Sequence, residues 1–342
     1  MRPPLAICIP TYARAETLER LLATLAVEAP NVPVLVADNA SPDHTAQLLR
    51  RMARPDLAVH RHAENLGSIA NIRWLLSHAP DAEHVWMICD DDLPAPGSVA
   101  SVLELVAAED PDWLHLPHCW LDPNGTIVNR SPCPPALERY EGSGALYRSY
   151  GHWLTFGSAA VIRRDALARA AESVETANEY APLVWFVNAA GAGTCVVAPF
   201  VGVHAGTEIT WADRVGSIVG GDYPALFEEV LAQHVDVLAF ASSLDHLYGS
   251  DWGADIWRSR SREQIADVRR RFPTARVLRR IDAERCAVAA DTPRLAQLAA
   301  EITDSDRDEA AALRLMGETA FADGDTTAAL DLLATSVLAD PL

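Results

Sequence analysis

Residues 85–94 read Val85-Trp86-Met87-Ile88-Cys89-Asp90-Asp91-Asp92-Leu93-Pro94. The apolar run Val85–Ile88 predicts a buried strand, and it empties into three consecutive aspartates. Upstream the chain alternates between two periods. Leu5–Ile9 predicts a first strand. Leu18, Leu21, Leu22 and Leu25 give Glu16–Glu28 a helical spacing. Val34–Ala37 predicts a second strand, closed by the turn-forming Asp38-Asn39-Ala40-Ser41-Pro42. Thr45–Met52 predicts a short helix, Leu57–His60 a third strand and Asn71–Leu76 part of a helix, with Val85–Ile88 as the fourth strand. This alternation predicts an α/β fold with a mostly parallel sheet covered on both faces. Ligands of such sheets sit beyond the carboxyl ends of the strands. Thr11-Tyr12, Asp38-Asn39 and the aspartate triplet all fall there.

Downstream, 96–108 reads as a helix and Trp113–Leu116 as a strand. Asn124-Gly125 signals a hairpin, and 129–155, with Pro132, Pro134 and Pro135, reads as irregular. Phe156–Ile162 predicts a strand returning to the sheet. Asn178–Ala190 predicts a helix stopped by Gly191 and Gly193, and Thr194–Val203 is extended. Residues 205–221 read as a loop. Beyond about 222 helical patterns dominate, so the expected domains are 1–221 and a helical 222–342. Within the second, 310–342 fits one tetratricopeptide unit. Leu313, Met316, Gly317 and Ala320 take first-helix positions; Ala329, Leu333 and Pro341 take the second helix and exit. One repeat cannot bury its own apolar faces. It stacks on the helices before it, or it forms a homodimer or acceptor-docking surface.

The 342 residues carry 47 acidic and 28 basic side chains, a formal charge of −19, and every basic residue is arginine. This balance opposes a grip on nucleic acid or anionic lipid. Pro10 interrupts the first apolar run, and no 18-residue apolar span follows, so neither a signal peptide nor an integral membrane segment is expected. Cysteines 8, 89, 119, 133, 195 and 285 form no CxxC pair and no zinc spacing. Reduced thiols in a cytoplasmic enzyme are the expectation.

Four polar segments follow in order. They are Ile9-Pro10-Thr11-Tyr12-Ala13-Arg14, Val36-Ala37-Asp38-Asn39-Ala40-Ser41-Pro42-Asp43-His44-Thr45, Glu64-Asn65-Leu66-Gly67 before Asn71, and Trp86 to Pro94. At these intervals the chain resembles the family-2 glycosyltransferases of GT-A fold, and within them the abequosyltransferase-type members. The resemblance covers 4–110 well and 150–210 loosely. It implies an inverting transfer of a sugar from a UDP- or dTDP-sugar to a hydroxyl of a small-molecule, glycan or peptide acceptor. The cofactor implied is Mn²⁺ or Mg²⁺.

The residue chemistry agrees with what the resemblance implies. Asp38 can accept from a pyrimidine N3–H, which uracil and thymine have and cytosine lacks; alternatively it closes an Asx turn. Pro10, Thr11, Tyr12 and Arg14 border the donor. Asn65 and Asn71 hold the ribose or the loop. Three adjacent carboxylates repel one another unless a hard divalent cation offsets the charge. The family pattern puts Asp90 at the ribose side and Asp91 on the metal, while a D-x-D reading of the triplet makes Asp92 the ligand. His204 falls where many GT-A enzymes take a further ligand, or is a loop-edge histidine. The base expected at the second residue of an acidic pair is replaced by Tyr180. Glu179 is therefore the candidate, with Glu175 and Glu208 behind it. Trp153, Phe156, Trp185 and Trp211 line an acceptor cleft or pack in the core.

Two other classes compete. One is a catalytically inactive GT-A domain that acts as a scaffold through its helical tail. The other is a nucleotidyltransferase, which would want a Gly/Lys/Arg-rich phosphate loop; Pro10-Thr11-Tyr12 is not one.

Overall fold

The computed structural model describes residues 2–122, 124–173, 178–206, 222–229 and 231–248, with 268, 271, 272, 314, 317, 318 and 333 singly. Chain contacts divide it into two compact units. One is Met1–Thr210 with Glu229–His234; the other is Trp211–Glu228 with Val235–Leu342.

The first unit is built on an eight-stranded sheet. Its first half holds β1 (Leu5–Thr11), β2 (Val34–Asp38), β3 (Leu57–Arg61) and β4 (His84–Met87). β1 and β2 are apolar almost throughout and buried on both faces, as strands covered on both sides must be. The connecting helices are α1 (Ala15–Glu28), α2 (Thr45–Arg51) and α3 (Ser68–Ser77). α1 turns Leu18, Leu21, Leu22 and Leu25 onto the sheet and leaves Val27 in solvent. Each of those four leucines is worth about 1.5–3 kcal/mol on full burial, which outweighs the ≲1 kcal/mol of an exposed ion pair such as Arg51–Glu19.

Strand order is β3-β2-β1-β4 in this half, all parallel. The chain winds outward from β1 to β3, then α3 carries it back across β1 to β4. That reversal leaves a crevice at the carboxyl ends of β1 and β4.

After β4 come β5 (Leu93–Pro94), α4 (Ser98–Glu109), β6 (Trp113–His115), β7 (His118–Leu121), β8 (Ile127–Arg130), β9 (Glu138–Glu141), α5 (Ser143–Tyr150), β10 (Ala160–Arg163), α6 (Arg164–Ser173), α7 (Ala181–Ala190), β11 (Thr194–Val197) and β12 (Val203–Gly206). The sheet continues β4-β10-β6-β11-β9. β10 is antiparallel to both its neighbours, and β6 and β11 are parallel. A second sheet, β5-β12-β7-β8, stands beyond it. The Asn124-Gly125 hairpin joins β7 to β8 as expected.

Three expectations need correction, and one helix was not expected. Residues 129–155 are not irregular. They hold β9, an edge strand of charged and half-exposed residues, and α5, which buries Leu146, Tyr147 and Tyr150. The helix expected from Asn178 begins at Ala181, because the Asn178 side chain accepts from the Tyr180 amide at 2.9 Å and closes a turn first. Thr194–Val203 is two strands in two sheets, interrupted at 198–202. α6 had no assignment; it buries Leu167, Ala170 and Ala171 on one face, but its Ala-rich and charged sequence is low in hydrophobicity and holds a single large apolar side chain.

In the second unit, α8 (Tyr223–Glu229) and α9 (Val237–Tyr248) pack Phe227 and Phe240 against Phe272 and Tyr223 against Phe240, with ring centroids 5.0–5.5 Å apart. Most of the tetratricopeptide-like segment 310–342 lies outside the described residues, as do Glu175, Glu208 and Trp211. Among the described residues no helix is long and apolar enough to cross a membrane.

Candidate active site

The carboxyl ends of β1, β2 and β4 supply the polar groups. β1 ends at Thr11, which is buried and donates its hydroxyl to Asp90 Oδ2 at 2.6 Å. Pro10 costs no ladder bond to β4, because that pairing stops at Cys8 and Met87. The next turn holds Ala13 in the left-handed region, φ 54°, and the turn after β2 holds Ala40 there, φ 59°. A left-handed alanine costs about 1–2 kcal/mol. The two turns are tied together: the Ala13 amide donates to Ser41 Oγ at 2.9 Å. Tyr12 projects into solvent.

Arg14 reaches across the crevice. Its Nη1 lies 2.9 Å from Asp90 Oδ1 and 2.6 Å from Asp91 Oδ2. Asp43 holds both helix starts at this end. Its carboxylate accepts from the Ala15 amide of α1 and from the Thr45 amide and hydroxyl of α2. A cleft of about 370 Å³ opens between the α1 N-terminus and Asp91, bordered by Arg14, Thr17, His44 and Asp91.

The three aspartates have different surroundings. Burial pushes the Asp90 carboxyl up to about 6, against the pull of Arg14 and Thr11. Asp91 is the partly exposed member and faces Arg14. Asp92 is buried, and burial followed by neighbouring Asp91 pushes it up to about 8. It accepts from the Ser158 hydroxyl at 2.6 Å and from the Gly206 amide at 3.3 Å. Gly206 is closely packed: a Cβ there would meet the Asp91 carbonyl oxygen at 3.0 Å.

Donor atoms of Cys89, Asp91 and Asp92 lie within 4.8 Å of one another. This set fits a divalent cation. Its oxygens are hard donors, and the burial that raises Asp92 is relieved by a positive charge beside it. His204, half-buried on β12, is not one of this group; burial lowers its imidazole below the ordinary 6.5. It stands two residues before Gly206 and pairs with Leu93 of β5.

Asp38, at the end of β2, is fully buried. Oδ1 accepts from the Ser41 amide at 2.9 Å, which ties the side chain to the loop that follows β2. Oδ2 is ion-paired with Arg61, whose Nη2 donates to the Ser41 carbonyl at 2.8 Å. Arg61 is the solvent-facing half of this pair, with 42% of its side chain exposed. Asn65 orders the following loop: its Oδ1 accepts from Asn39 Nδ2 at 2.8 Å and from the Gly67 amide at 2.9 Å. Asn71 is spent inside the fold, donating to the Ala37 carbonyl and meeting His62 Nε2. Glu179, just before α7, accepts from the Ser68 hydroxyl at the start of α3 at 3.1 Å.

Trp185 is fully buried core, whereas Trp153 and Phe156 are half-exposed beside Trp120. Sequence reasoning missed Arg61, Ser158 and Gly206. Nothing local marks an arginine at a strand end or a serine 66 residues from its partner. Gly206 fell in the stretch read as a loop, whereas it is the last residue of β12.

Residues 6–169 match the family model described as Glycosyl transferase family 2. No curated protein matches the chain in sequence. Among solved structures, the chain is similar to S. aureus TarS 1-349 in complex with UDP, at 14% identity and TM-score 0.59, over 97% of this chain and 90% of that one. The same protein without ligand gives 15% identity and TM-score 0.56, over 86% and 90%. In complex with UDP-GlcNAc it gives 14% and 0.51, over 98% and 90%. At this identity the likeness shows the fold. Residues 6–169 are thus similar to a family 2 glycosyltransferase domain, the solved structures show the GT-A fold, and the class so indicated is a glycosyltransferase enzyme.

Proposed function

We propose that the chain is an inverting glycosyltransferase, cytoplasmic, that moves a sugar from a UDP- or dTDP-sugar to a hydroxyl of a natural product, polysaccharide or peptide. One observation carries the reading: the acidic triplet, Arg14 and the Asp38–Arg61 pair sit together at the carboxyl ends of β1, β2 and β4, inside the matched segment 6–169. The TarS complexes with UDP and UDP-GlcNAc support a uridine donor.

Asp91 and Asp92 would hold Mn²⁺ or Mg²⁺, which when bound supplies charge neutralisation at the departing diphosphate. Arg14 supplies a second positive charge on the same side; it leaves its carboxylate partners when the diphosphate takes it. Asp90 keeps Thr11 and Arg14 in place. At the other end, the Asp38–Arg61 pair borders the base. Asp38 uses only part of its four lone-pair positions on Ser41 and Arg61, so it retains capacity for an N3–H once Arg61 turns aside. Glu179, oriented by Ser68, takes the proton of the acceptor hydroxyl. The acceptor oxygen then forms its bond to the anomeric carbon as the bond to the phosphate oxygen breaks. The electron pair leaves with the nucleoside diphosphate, and the anomeric carbon inverts.

Thermal shifts with UDP, dTDP and GDP, each with Mn²⁺, test the donor reading. Stabilisation by UDP or dTDP and not by GDP supports it. A larger shift with GDP contradicts it.

A further inference from the structure

The donor cluster beside Arg14 contains a sulfur. Cys89 Sγ lies within 4.8 Å of a carboxylate oxygen of Asp91 and of Asp92. The thiol is held in this position by the backbone around it. The Cys89 amide donates to Ser158 Oγ at 2.9 Å, and the Ser158 hydroxyl donates to Asp92 Oδ2 at 2.6 Å. One side chain from the 3-10 turn just before β10 therefore fixes both Cys89 and Asp92. The Asp92 amide closes the turn by donating to the Cys89 carbonyl at 3.1 Å. Cys89 and Asp92 thus stand at opposite ends of one tight turn, with Asp91 between them.

Sulfur changes which ion such a turn prefers. Mg²⁺ takes oxygen in a near-octahedral shell and keeps much of its water, so a thiol beside it adds nothing. Zinc, cobalt and cadmium accept a thiolate readily, and manganese lies between these and magnesium in the general affinity order. We propose that Cys89 is a third donor of this site. The chain then binds thiophilic divalent cations through one sulfur and two carboxylates, and prefers Mn²⁺ to Mg²⁺. This rests on the proposed function only in taking the triplet as the cation site. On binding, the S–H bond breaks, the sulfur–metal bond forms, and the proton goes to solvent; no atom changes oxidation state.

Co²⁺ titrated into the full chain tests it, read by the sulfur-to-cobalt charge-transfer absorption and by calorimetry. The band is expected in the wild type and in Cys133→Ser, the exposed cysteine among the described residues, and lost in Cys89→Ser. Cys89→Asp restores an all-oxygen set. It should keep Mn²⁺ binding without the cobalt–sulfur band, and its Mn²⁺ to Mg²⁺ affinity ratio should fall. If Cys89→Ser does not fold, Cys89→Asp decides through the same band. A band that survives Cys89→Ser or Cys89→Asp overturns the proposal, as does wild-type Co²⁺ binding with no band. UDP binding in the same samples separates the two readings. UDP binding without a sulfur band rejects Cys89 and leaves the donor site standing. A sulfur band with no UDP binding rejects the donor site and leaves Cys89 a ligand.

Discussion

Arg14 Nη1 stands 2.6 Å from Asp91 Oδ2, so the most exposed aspartate of the triplet already has a cation against it. The same nitrogen serves buried Asp90 at 2.9 Å. Removing Arg14 leaves two carboxylates facing each other with no counter-charge. Arg14→Gln is expected to lower the stability of the cation-free protein by about 1–3 kcal/mol, the scale of a lost charged hydrogen bond. Mn²⁺ should restore more stability to this variant than to the wild type. Urea unfolding with and without Mn²⁺ measures both. An equal gain in the two proteins means that Arg14 is no stand-in for the cation.

Asp38 and Arg61 are expected to read the base and not the phosphates. Asp38→Asn should weaken UDP by roughly 1.5–3 kcal/mol and change the affinity for inorganic diphosphate little. Calorimetry with both ligands decides this. Equal losses would make the pair a loop-shaping device.

The first half of the sheet and the position of the acidic triplet were legible because each strand there is a short apolar run closed by a polar turn. Leu5–Ile9 and Val85–Ile88 state both their burial and their ends. The second half was harder. β9 is a charged edge strand, Glu138–Glu141, with no apolar face to signal it. The extended segment Thr194–Gly206 conceals its change of sheet, since nothing in its hydropathy marks 198–202 as a break. The partners of the site were harder still. Asp38 was visible at its strand end, but Arg61 joins it only because β2 and β3 pair in parallel with Asp38 opposite Arg61. Ser158 joins Asp92 through a strand that enters antiparallel after a 66-residue excursion.

Glu179→Gln separates chemistry from donor binding. Glutamine can keep the Ser68 hydrogen bond but cannot take the acceptor's proton. Transfer should fall about 10²–10⁴-fold with donor affinity near wild type. Undiminished transfer moves the base elsewhere. A lost melting transition marks Glu179 as structural.

His118 sits buried among Trp120, Trp153 and Phe156, stacked on Phe156 at 4.3 Å, and burial pushes its imidazole down to about 4. Neighbouring His115 is lowered as well, chiefly by burial. The unfolded chain takes up a proton near 6.5 that the folded His118 refuses until about 4. His118 therefore supports the fold above 6.5, and that support drains away as pH falls toward 4. Asp90 and Asp92, whose carboxyls are raised, act in the opposite sense between about 4 and 8. The wild type should thus be compared with His118→Gln. Their stability difference should shrink by about 1.4 kcal/mol for each unit that the pH falls between 6.5 and about 4. A constant difference in urea unfolding from pH 7 to 4.5 would show that His118 is protonated as easily folded as unfolded.

The central claim is that the acidic triplet binds the donor's diphosphate through a divalent cation. Calorimetric titration of UDP into wild type and Asp91→Asn, each with Mn²⁺ and with EDTA, tests it most directly. The account predicts UDP binding by the wild type with Mn²⁺, strong weakening by EDTA, and the same weakening in Asp91→Asn even with Mn²⁺ present, while that variant keeps its melting transition. UDP affinity that is equal with Mn²⁺ and with EDTA, and unchanged by Asp91→Asn, would contradict it.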